Sequence, residues 1–177
     1  MNRGDEIPRI ERFAAIVGDR LPAGATVLEI GAGDGLLAEQ LAQRYDVVAI
    51  DRKQRGKYRV IEVAFEDYEA VPASFDAVVA QLVLHHVDDI DAVLEKMSRL
   101  LRPGGFVAID DYGWERSDDA AFRSDRADLH TSKTMLAALR ARFDEALYGD
   151  HAYFDEGRGD DRLGFTFVGS PKPARSS

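Results

Sequence analysis

Hydrophobic residues along the first two thirds of the chain alternate between helical spacing and short continuous runs. The first periodic stretch predicts an amphipathic helix over 6–20, with Pro8 in its first turn, where a missing N–H is tolerated. A second clear helix is predicted over 90–101, capped by Asp88 or Asp89. Five short apolar runs are typical of strands buried in a parallel sheet, and they cover 25–30, 46–51, 60–63, 75–80 and 106–110.

The last third of the chain has a different pattern. Residues 112–131 are polar and lack a sustained apolar period, so we expect a variable lid there. Helical spacing returns around Met135 and Phe143, and two further apolar runs follow at 145–148 and 163–168. These runs predict an antiparallel hairpin, closed by the Gly- and Asp-rich loop at 157–160.

Taken in order, these elements predict an α/β fold with a doubly wound, mainly parallel seven-stranded sheet. Helices would cover both faces in three αβα layers, and the C-terminal hairpin would be antiparallel. We expect one domain over 1–170, with the C-terminal helix and hairpin within 132–170, and a flexible tail at 171–177.

Composition and charge narrow the range of partners. The 177 residues include 23 basic and 32 acidic side chains, and the net charge of −9 opposes binding to nucleic acid. Without cysteine, the chain can form neither disulfides nor thiolate metal sites. No apolar run approaches the roughly 18 residues of a membrane span, and the first residues lack the apolar region of a secretory signal. We therefore expect a cytoplasmic protein with no membrane or nucleic-acid partner.

The segment Glu29-Ile30-Gly31-Ala32-Gly33-Asp34-Gly35 joins the first predicted strand to a helix, where glycines let a ligand approach the backbone. A dinucleotide fingerprint would need a glycine at position 36, which is Leu36. Glu29 also disfavours a pyrophosphate nearby and favours an ammonium group. A cofactor site is one interpretation of this loop, and a tight structural turn is the other.

Four motifs in order resemble those of class I S-adenosylmethionine-dependent methyltransferases. They are the glycine loop within 27–35, the acidic residue Asp51, the segment 74–79 together with 84–89, which follows it, and the segment 100–106. The resemblance covers 25–111, which it identifies as the cofactor-binding half. It implies that the chain binds S-adenosyl-L-methionine and releases S-adenosyl-L-homocysteine.

The resemblance also assigns cofactor contacts. Asp51, 20 residues after Gly31, would accept the ribose hydroxyls. Glu29 would act on the methionine ammonium, and Gln81 would face the sulfonium. The acid that reads adenine in the family aligns with Ala64, so either Glu66 or Asp67 replaces it or the backbone alone reads the adenine edge. The full predicted set is Glu29, Gly31, Ala32, Gly33, Gly35, Asp51, Arg52, Phe65, Glu66 and Gln81.

Methyl transfer from a sulfonium is an in-line displacement, so alignment and exclusion of water come first and a catalytic base is optional. The catalytic residue stays unknown, with His85, His130 and Tyr112 as weak candidates. Asp110 and Asp111 could hold a metal ion only with further ligands after the fourth strand, where Gln81-Leu82-Val83 stands instead, so we predict no metal.

The same stretch bears on the methyl acceptor. Gln81-Leu82-Val83-Leu84 lacks the Asn/Asp-Pro-Pro-aromatic motif of enzymes that methylate adenine or protein glutamine, which favours a small-molecule acceptor. Tyr112, Trp114 and Phe122 could form an apolar wall beside it. We expect a monomer or homodimer. Two alternatives stay open: a non-catalytic methyltransferase-like module, favoured by Ala64, and an NAD-dependent oxidoreductase.

Overall fold

The computed structural model describes residues 3–116, 120–152 and 163–173. The helices are α1 (Arg3–Gly18), α2 (Leu36–Leu41), α3 (Ile90–Leu100), α4 (Ala120–Ser124) and α5 (Ser132–Arg142). The strands are β1 (Thr26–Ile30), β2 (Asp46–Asp51), β3 (Ile61–Glu62), β4 (Phe75–Gln81), β5 (Leu101–Tyr112), β6 (Phe143–Ala152) and β7 (Leu163–Pro171). Short 3-10 turns cover Leu84–His86 and Trp114–Arg116.

All seven strands form one sheet with the order β3-β2-β1-β4-β5-β7-β6. The first five strands run parallel, whereas β7 is antiparallel to both β5 and β6. From β1 the chain builds one half of the sheet through β2 and β3, and the other half begins at β4. Ligands of open α/β sheets bind outside the carboxyl ends of the strands at such a reversal, which here lies between β1 and β4.

Two apolar cores bury the two faces of the sheet. On one face, α1 and α2 pack through Phe13, Val17, Leu37 and Leu41 onto residues such as Val79. On the other face, α3 and α5 pack through side chains that include Leu94, Met97, Met135 and Leu139. Successive strand residues point to opposite faces, so every strand except the short, exposed β3 contributes to both cores. The predicted three-layer fold with its antiparallel C-terminal hairpin is confirmed.

Several predicted boundaries differ from the observed ones. Helix α1 begins at Arg3 and not at residue 6, so Pro8 lies inside the helix and not in its first turn. Strand β5 extends to Tyr112, because β7 pairs with it up to Gly164, and the predicted lid therefore begins within the sheet. Strands β6 and β7 are also longer than their apolar runs, since ladder pairing continues through polar residues. The predicted loop at 157–160 and the end of the tail lie outside the described residues.

No helix in the described part of the chain is long and apolar enough to cross a membrane.

Candidate active site

The loop between β1 and α2 lies at the point where the strand order reverses. The N–H groups of Gly31 and Ala32 both donate to the carbonyl oxygen of Ile50, at 2.9 and 3.0 Å. Gly31 and Gly33 have φ angles of 71° and 58°, which glycine adopts without strain. A Cβ on Gly31 would lie 2.4 Å from Cγ2 of Val83, whereas one on Gly33 would meet only the carbonyl oxygen of Gly31, at 4.0 Å. The backbone at Gly33 therefore borders space that a ligand can enter.

Asp51 ends β2 and fastens the glycine loop to that strand. Its Oδ2 accepts a hydrogen bond of 2.9 Å from the N–H of Gly33, and its Oδ1 accepts one of 2.9 Å from the N–H of Lys53. Gly35 precedes α2 and lies against Tyr58, whose Cβ would be 2.5 Å from a Cβ on Gly35. Each carboxylate oxygen can accept more than one hydrogen bond, so Asp51 keeps capacity for ligand hydroxyl groups.

Glu29 in β1 presents a buried carboxyl group on the face of the sheet that α1 and α2 cover. The residue is 3% exposed, and its Oε2 has no hydrogen-bond partner among the described residues. Burial, and then the nearby charges of Asp34 and Asp51, raise the pKa of Glu29 to about 8. A buried carboxyl group without a partner is costly, and a cation bound at the glycine loop would supply one.

The residues predicted to lie on the adenine side, Phe65 and Glu66, follow β3. Glu66 accepts a hydrogen bond of 3.2 Å from Nη2 of Arg52, so the two predicted contacts form an ion pair at the surface. Phe65 is buried in the core, and the ammonium of Lys96 lies 5.1 Å from its ring centroid. Lys96 also donates to the backbone carbonyl of Glu66, at 2.9 Å. These contacts hold Phe65 and Glu66 in place, but none of them identifies a ligand.

Asp110 in β5 is the centre of a buried polar network on the α1 side of the sheet. Its side chain is 0% exposed, and four side chains lie within hydrogen-bond distance of it. Oδ1 is 3.1 Å from Nη2 of Arg12, 2.8 Å from Nε2 of His151 and 2.8 Å from Oγ1 of Thr166. Oδ2 accepts from Nε2 of Gln81 at 3.0 Å. Burial alone would raise the pKa of Asp110, but the hydrogen bond and the electrostatic attraction of His151, followed by hydrogen bonds from Gln81 and Thr166, lower it overall, so the carboxylate stays ionised.

Gln81 connects this network to the reversal point, because it ends β4 next to β1. The following residue, Leu82, has a φ of 59°, which is rare for a residue other than glycine. The N–H of Leu82 donates to the backbone carbonyl of Asp110, at 2.9 Å. This turn holds the end of β4 against β5 at the edge where the ligand is expected.

Two of the three predicted catalytic candidates bond to other protein groups on the opposite side of the sheet. His85 is 3% exposed, and its Nδ1 lies 2.6 Å from Oδ1 of Asp111. Nε2 of His130 is 2.9 Å from the carbonyl oxygen of Val87. Tyr112 is buried with its ring edge-on to His85, at a centroid distance of 4.7 Å. Because Asp110 and Asp111 are adjacent in a strand, they point to opposite faces and cannot hold one metal ion together.

The predicted lid starts as a packed segment. Trp114 is 7% exposed, and its Nε1 donates to the carbonyl oxygen of His130, at 2.9 Å. Trp114 and Tyr112 form a small apolar cluster with Leu82 and Leu129. The side chain of Phe122, predicted as part of the same wall, lies outside what the structure describes.

Sequence reasoning missed Arg12, His151 and Thr166 as members of the site. Thr166 lies opposite Asp110 in the β5–β7 ladder, and His151 lies opposite Gly164 in the β6–β7 ladder. A period of two along β7 could have placed Thr166 on the Asp110 face once the register was known. In the part of the chain that is described, no group of three or more His, Asp or Glu side chains could hold a metal ion.

The strand order, the glycine loop at the reversal point and the acidic residue ending β2 define an α/β protein built to bind a small ligand at the carboxyl edge of its sheet. Residues 5–154 match the family described as a methyltransferase domain. The chain belongs to this family, which confirms the resemblance found in the sequence.

Named relatives agree with this membership. The chain is 39% identical over 142 residues to methyltransferase str2 of Strobilurus tenacellus, covering 65% of this chain and 51% of that protein. It is 36% identical over 115 residues to a ubiquinone biosynthesis O-methyltransferase of Chromobacterium violaceum, covering 55% and 46%. The chain thus spans about half the length of these curated relatives.

Among solved structures, a similar fold occurs in 1,6-didemethyltoxoflavin-N1-methyltransferase of Burkholderia thailandensis, crystallised with 1,6-didemethyltoxoflavin and S-adenosylhomocysteine. The TM-score is 0.73 at 19% identity, over 93% of this chain and 78% of that one. At this identity the likeness shows the fold alone.

Proposed function

We propose that this protein transfers a methyl group from S-adenosyl-L-methionine to a small-molecule acceptor. Membership of the methyltransferase domain family supports the reaction class. The cofactor is supported by the name of a similar structure, which was crystallised with S-adenosylhomocysteine. The arrangement of Glu29 is the single observation in this chain that carries the proposal.

Glu29 fits a ligand that bears an ammonium group. Its Oε2 is buried without a partner in the described residues, next to a loop whose Gly33 borders open space. A cationic amine would satisfy that oxygen and offset the repulsion from Asp34 and Asp51 that opposes its ionisation. A pyrophosphate would instead add negative charge beside three carboxyl groups, which argues against the alternative of an NAD-dependent oxidoreductase.

The remaining predicted contacts suit the other parts of the cofactor. Asp51 would accept the ribose hydroxyls with the lone pairs that the N–H groups of Gly33 and Lys53 leave unused. Gly31, Ala32, Gly33 and Gly35 would provide the close backbone surface. Arg52, Phe65 and Glu66 would border the adenine, and Gln81 would face the sulfonium.

When bound, S-adenosyl-L-methionine supplies an activated methyl group on a positively charged sulfur. The work of this chain is then to align the acceptor and to keep water away from the line of attack. The names of similar proteins include both an O-methyltransferase and an N-methyltransferase, so they leave the methylated atom open. A net charge of −9 supports a small-molecule acceptor over nucleic acid. We retain as further proposals a cytoplasmic location and a monomer or homodimer.

Isothermal titration calorimetry with three ligands tests this function against its alternatives. We expect S-adenosyl-L-methionine and S-adenosyl-L-homocysteine to bind with micromolar affinity, about −7 to −8 kcal/mol, and NAD not to bind. Binding of NAD alone would identify an oxidoreductase. Binding of none of the three would favour a module that has lost the cofactor. Release of S-adenosyl-L-homocysteine with a set of small alcohols, phenols and matching amines then separates an enzyme from a binding module.

An Asp51→Ala variant tests the assignment of the site itself. Loss of the acceptor for two ribose hydroxyls should weaken cofactor binding by about 1.5–3 kcal/mol, or roughly 10- to 150-fold. Asp46→Ala is the matched control, because Asp46 is an exposed residue of the same type at the other end of β2. An Asp51→Ala protein that is folded and binds as tightly as the control would contradict the proposed site.

A further inference from the structure

We propose that Asp110 is a positioning residue, which holds the side-chain amide of Gln81 so that its carbonyl oxygen, and not its nitrogen, faces the positively charged sulfur of S-adenosyl-L-methionine. As a consequence, this contact favours the charged cofactor over the uncharged product S-adenosyl-L-homocysteine. The inference rests on the proposed function, and it adds to the site a residue that lies outside the predicted cofactor contacts.

The contacts of Asp110 determine which end of the Gln81 amide points towards it. Oδ1 of Asp110 accepts hydrogen bonds from Nη2 of Arg12 at 3.1 Å and from Oγ1 of Thr166 at 2.8 Å. The ionised carboxylate accepts hydrogen bonds and cannot donate them. The atom of Gln81 that lies 3.0 Å from Oδ2 is therefore the amide nitrogen. The opposite orientation of the amide would place two oxygen atoms against each other.

The carbonyl oxygen of Gln81 is left for a ligand. The amide carbon is trigonal, so Oε1 points away from the nitrogen and hence away from Asp110 and β5. In the described part of the chain, Oε1 has no hydrogen-bond partner, and Gln81 is only half-buried. On the other side of β4, the last pair of the β1–β4 ladder is Ile30 with Ala80, which brings Gln81 level with Gly31. Oε1 is therefore directed towards the first glycine of the proposed cofactor loop.

The charge of Oε1 matches the sulfur end of the cofactor. A carbonyl oxygen carries a partial negative charge, and the C–H groups next to a positive sulfur form weak hydrogen bonds with such an oxygen. Glu29, which suits the ammonium group, lies on the neighbouring strand β1, and a short carbon chain joins the ammonium to the sulfur. An NH2 group in place of Oε1 would instead repel the sulfur. The orientation of this amide therefore decides whether Gln81 attracts or repels the cofactor.

The same contact distinguishes the cofactor from its product. Once the methyl group has been transferred, the sulfur is an uncharged thioether, which gains little from a nearby carbonyl oxygen. Oε1 thus adds affinity for the cofactor alone and does not retain the product. Asp110 achieves this through the geometry of Gln81, because its own negative charge is balanced by Arg12.

NMR of the side-chain amides tests the orientation in the wild-type protein. The chain has only four glutamines and one asparagine, so these NH2 signals are few, and the pair that is lost in Gln81→Leu belongs to Gln81. Hydrogens held by a buried carboxylate exchange slowly with water. Those of Gln81 should exchange roughly 10-fold or more slowly than those of the exposed Gln43 and Gln54. Equally fast exchange would overturn the proposed orientation.

Calorimetry with cofactor and product measures the preference for the charged sulfur. Gln81→Leu removes the oxygen, so the ratio of the two affinities should fall by about 2- to 5-fold. In Asp110→Asn, Arg12 can still only donate, so the introduced amide keeps its oxygen on the Arg12 side and presents its NH2 group to Gln81. Gln81 must then turn its oxygen towards position 110 and its NH2 group towards the cofactor. Repulsion replaces attraction, so the ratio should fall by about 4- to 25-fold, mainly through weaker binding of the cofactor.

The double variant separates an effect through Gln81 from a direct effect of the charge of Asp110. If Asp110 acts through Gln81, Asp110→Asn should no longer change the ratio once Gln81→Leu is present. An equal fall in both backgrounds would show that the charge acts directly and would overturn the positioning role. Asp76→Asn is the matched control, because Asp76 accepts hydrogen bonds from Thr26 and Arg102 at the other end of β4, and it should leave the ratio unaltered.

The outcomes separate this inference from the function on which it rests. Absence of cofactor binding in the wild-type protein contradicts the proposed function, while the NMR measurement still decides the orientation of Gln81. Binding of both ligands with the same ratio in Asp110→Asn as in the wild-type protein overturns the role of Asp110. An unchanged ratio in Gln81→Leu overturns the contact between Gln81 and the sulfur.

Discussion

Replacing Glu29 by glutamine should remove a specific pH dependence from the stability of the protein. The carboxyl group has a pKa of about 8 in the folded state, against 4.5 for an ordinary glutamate side chain. Between these two values the folded chain keeps a proton that the unfolded chain has released. Stability conferred by the neutral group is therefore complete below pH 4.5 and is lost as the pH rises towards 8.

The size of this effect follows from the proton count. One proton of difference changes the free energy of unfolding by about 1.4 kcal/mol per pH unit. The contribution of Glu29 thus falls by about 2 kcal/mol between pH 6 and pH 7.5. Glutamine has the same shape and no titration, so the difference in stability between Glu29→Gln and wild type should move in favour of the variant by that amount over this interval.

Urea unfolding at several pH values measures the effect directly, with all other titrating groups common to both proteins. Glu11→Gln is the matched control, because Glu11 is an exposed glutamate on α1. Parallel curves of unfolding free energy for wild type and Glu29→Gln would refute a protonated, buried Glu29.

The same residue predicts proton release on cofactor binding. An ammonium beside Glu29 favours its ionised form, so wild type should release close to one proton per cofactor at pH 6.5, where the amine of the ligand is itself charged. Calorimetry in two buffers of different ionisation enthalpy counts these protons. Glu29→Gln should release none, and equal proton counts in the two proteins would show that the ammonium lies elsewhere.

Two further predictions concern the glycine loop and the predicted lid. Gly33→Ala and Gly24→Ala each place a side chain on left-handed backbone with open space around it, so each should cost about 1 kcal/mol of stability. Only Gly33→Ala should also weaken cofactor binding. Equal affinities of the two variants would show that the cofactor does not approach Gly33. In hydrogen exchange of the free protein, residues 112–116 should be protected nearly as well as the sheet, because Trp114 is buried there. Residues 120–131 should exchange faster than 112–116, and their exchange should become slower when the cofactor binds. Fast exchange over 112–116 would show that the packing of this segment is not persistent.

The central fold and the glycine loop were predictable because their signals are local. Strands β1, β2 and β4 are mostly apolar runs of five to seven residues, and burial on both faces requires such a run wherever a parallel sheet is covered by helices. The glycine loop needs its residue types at fixed positions of one turn, so it can be recognised without knowing the rest of the fold.

The network around Asp110 could not be predicted in this way. It combines Arg12 from α1, Thr166 from β7 and His151 from β6, which are brought together only by the register of the C-terminal hairpin. The strand that carries His151 continues through Gly149 and Asp150 without an apolar signal, because this edge strand is less buried than the inner strands. Its length is therefore set by pairing with β7 and not by its own composition.

Glu29 and Asp110 lie on the same face of the sheet, but the carboxyl group of Glu29 keeps its proton and that of Asp110 is ionised. Both are almost completely buried, so desolvation alone would raise the pKa of each. Asp110 is surrounded by four donors and its pKa is lowered, whereas Oε2 of Glu29 has no partner in the described residues and the pKa of Glu29 is raised. The charge of Asp110 is thus already matched by side chains of the protein itself. The carboxyl group of Glu29 is still neutral, and a cationic ligand forms an ion pair with it only when Glu29 releases its proton.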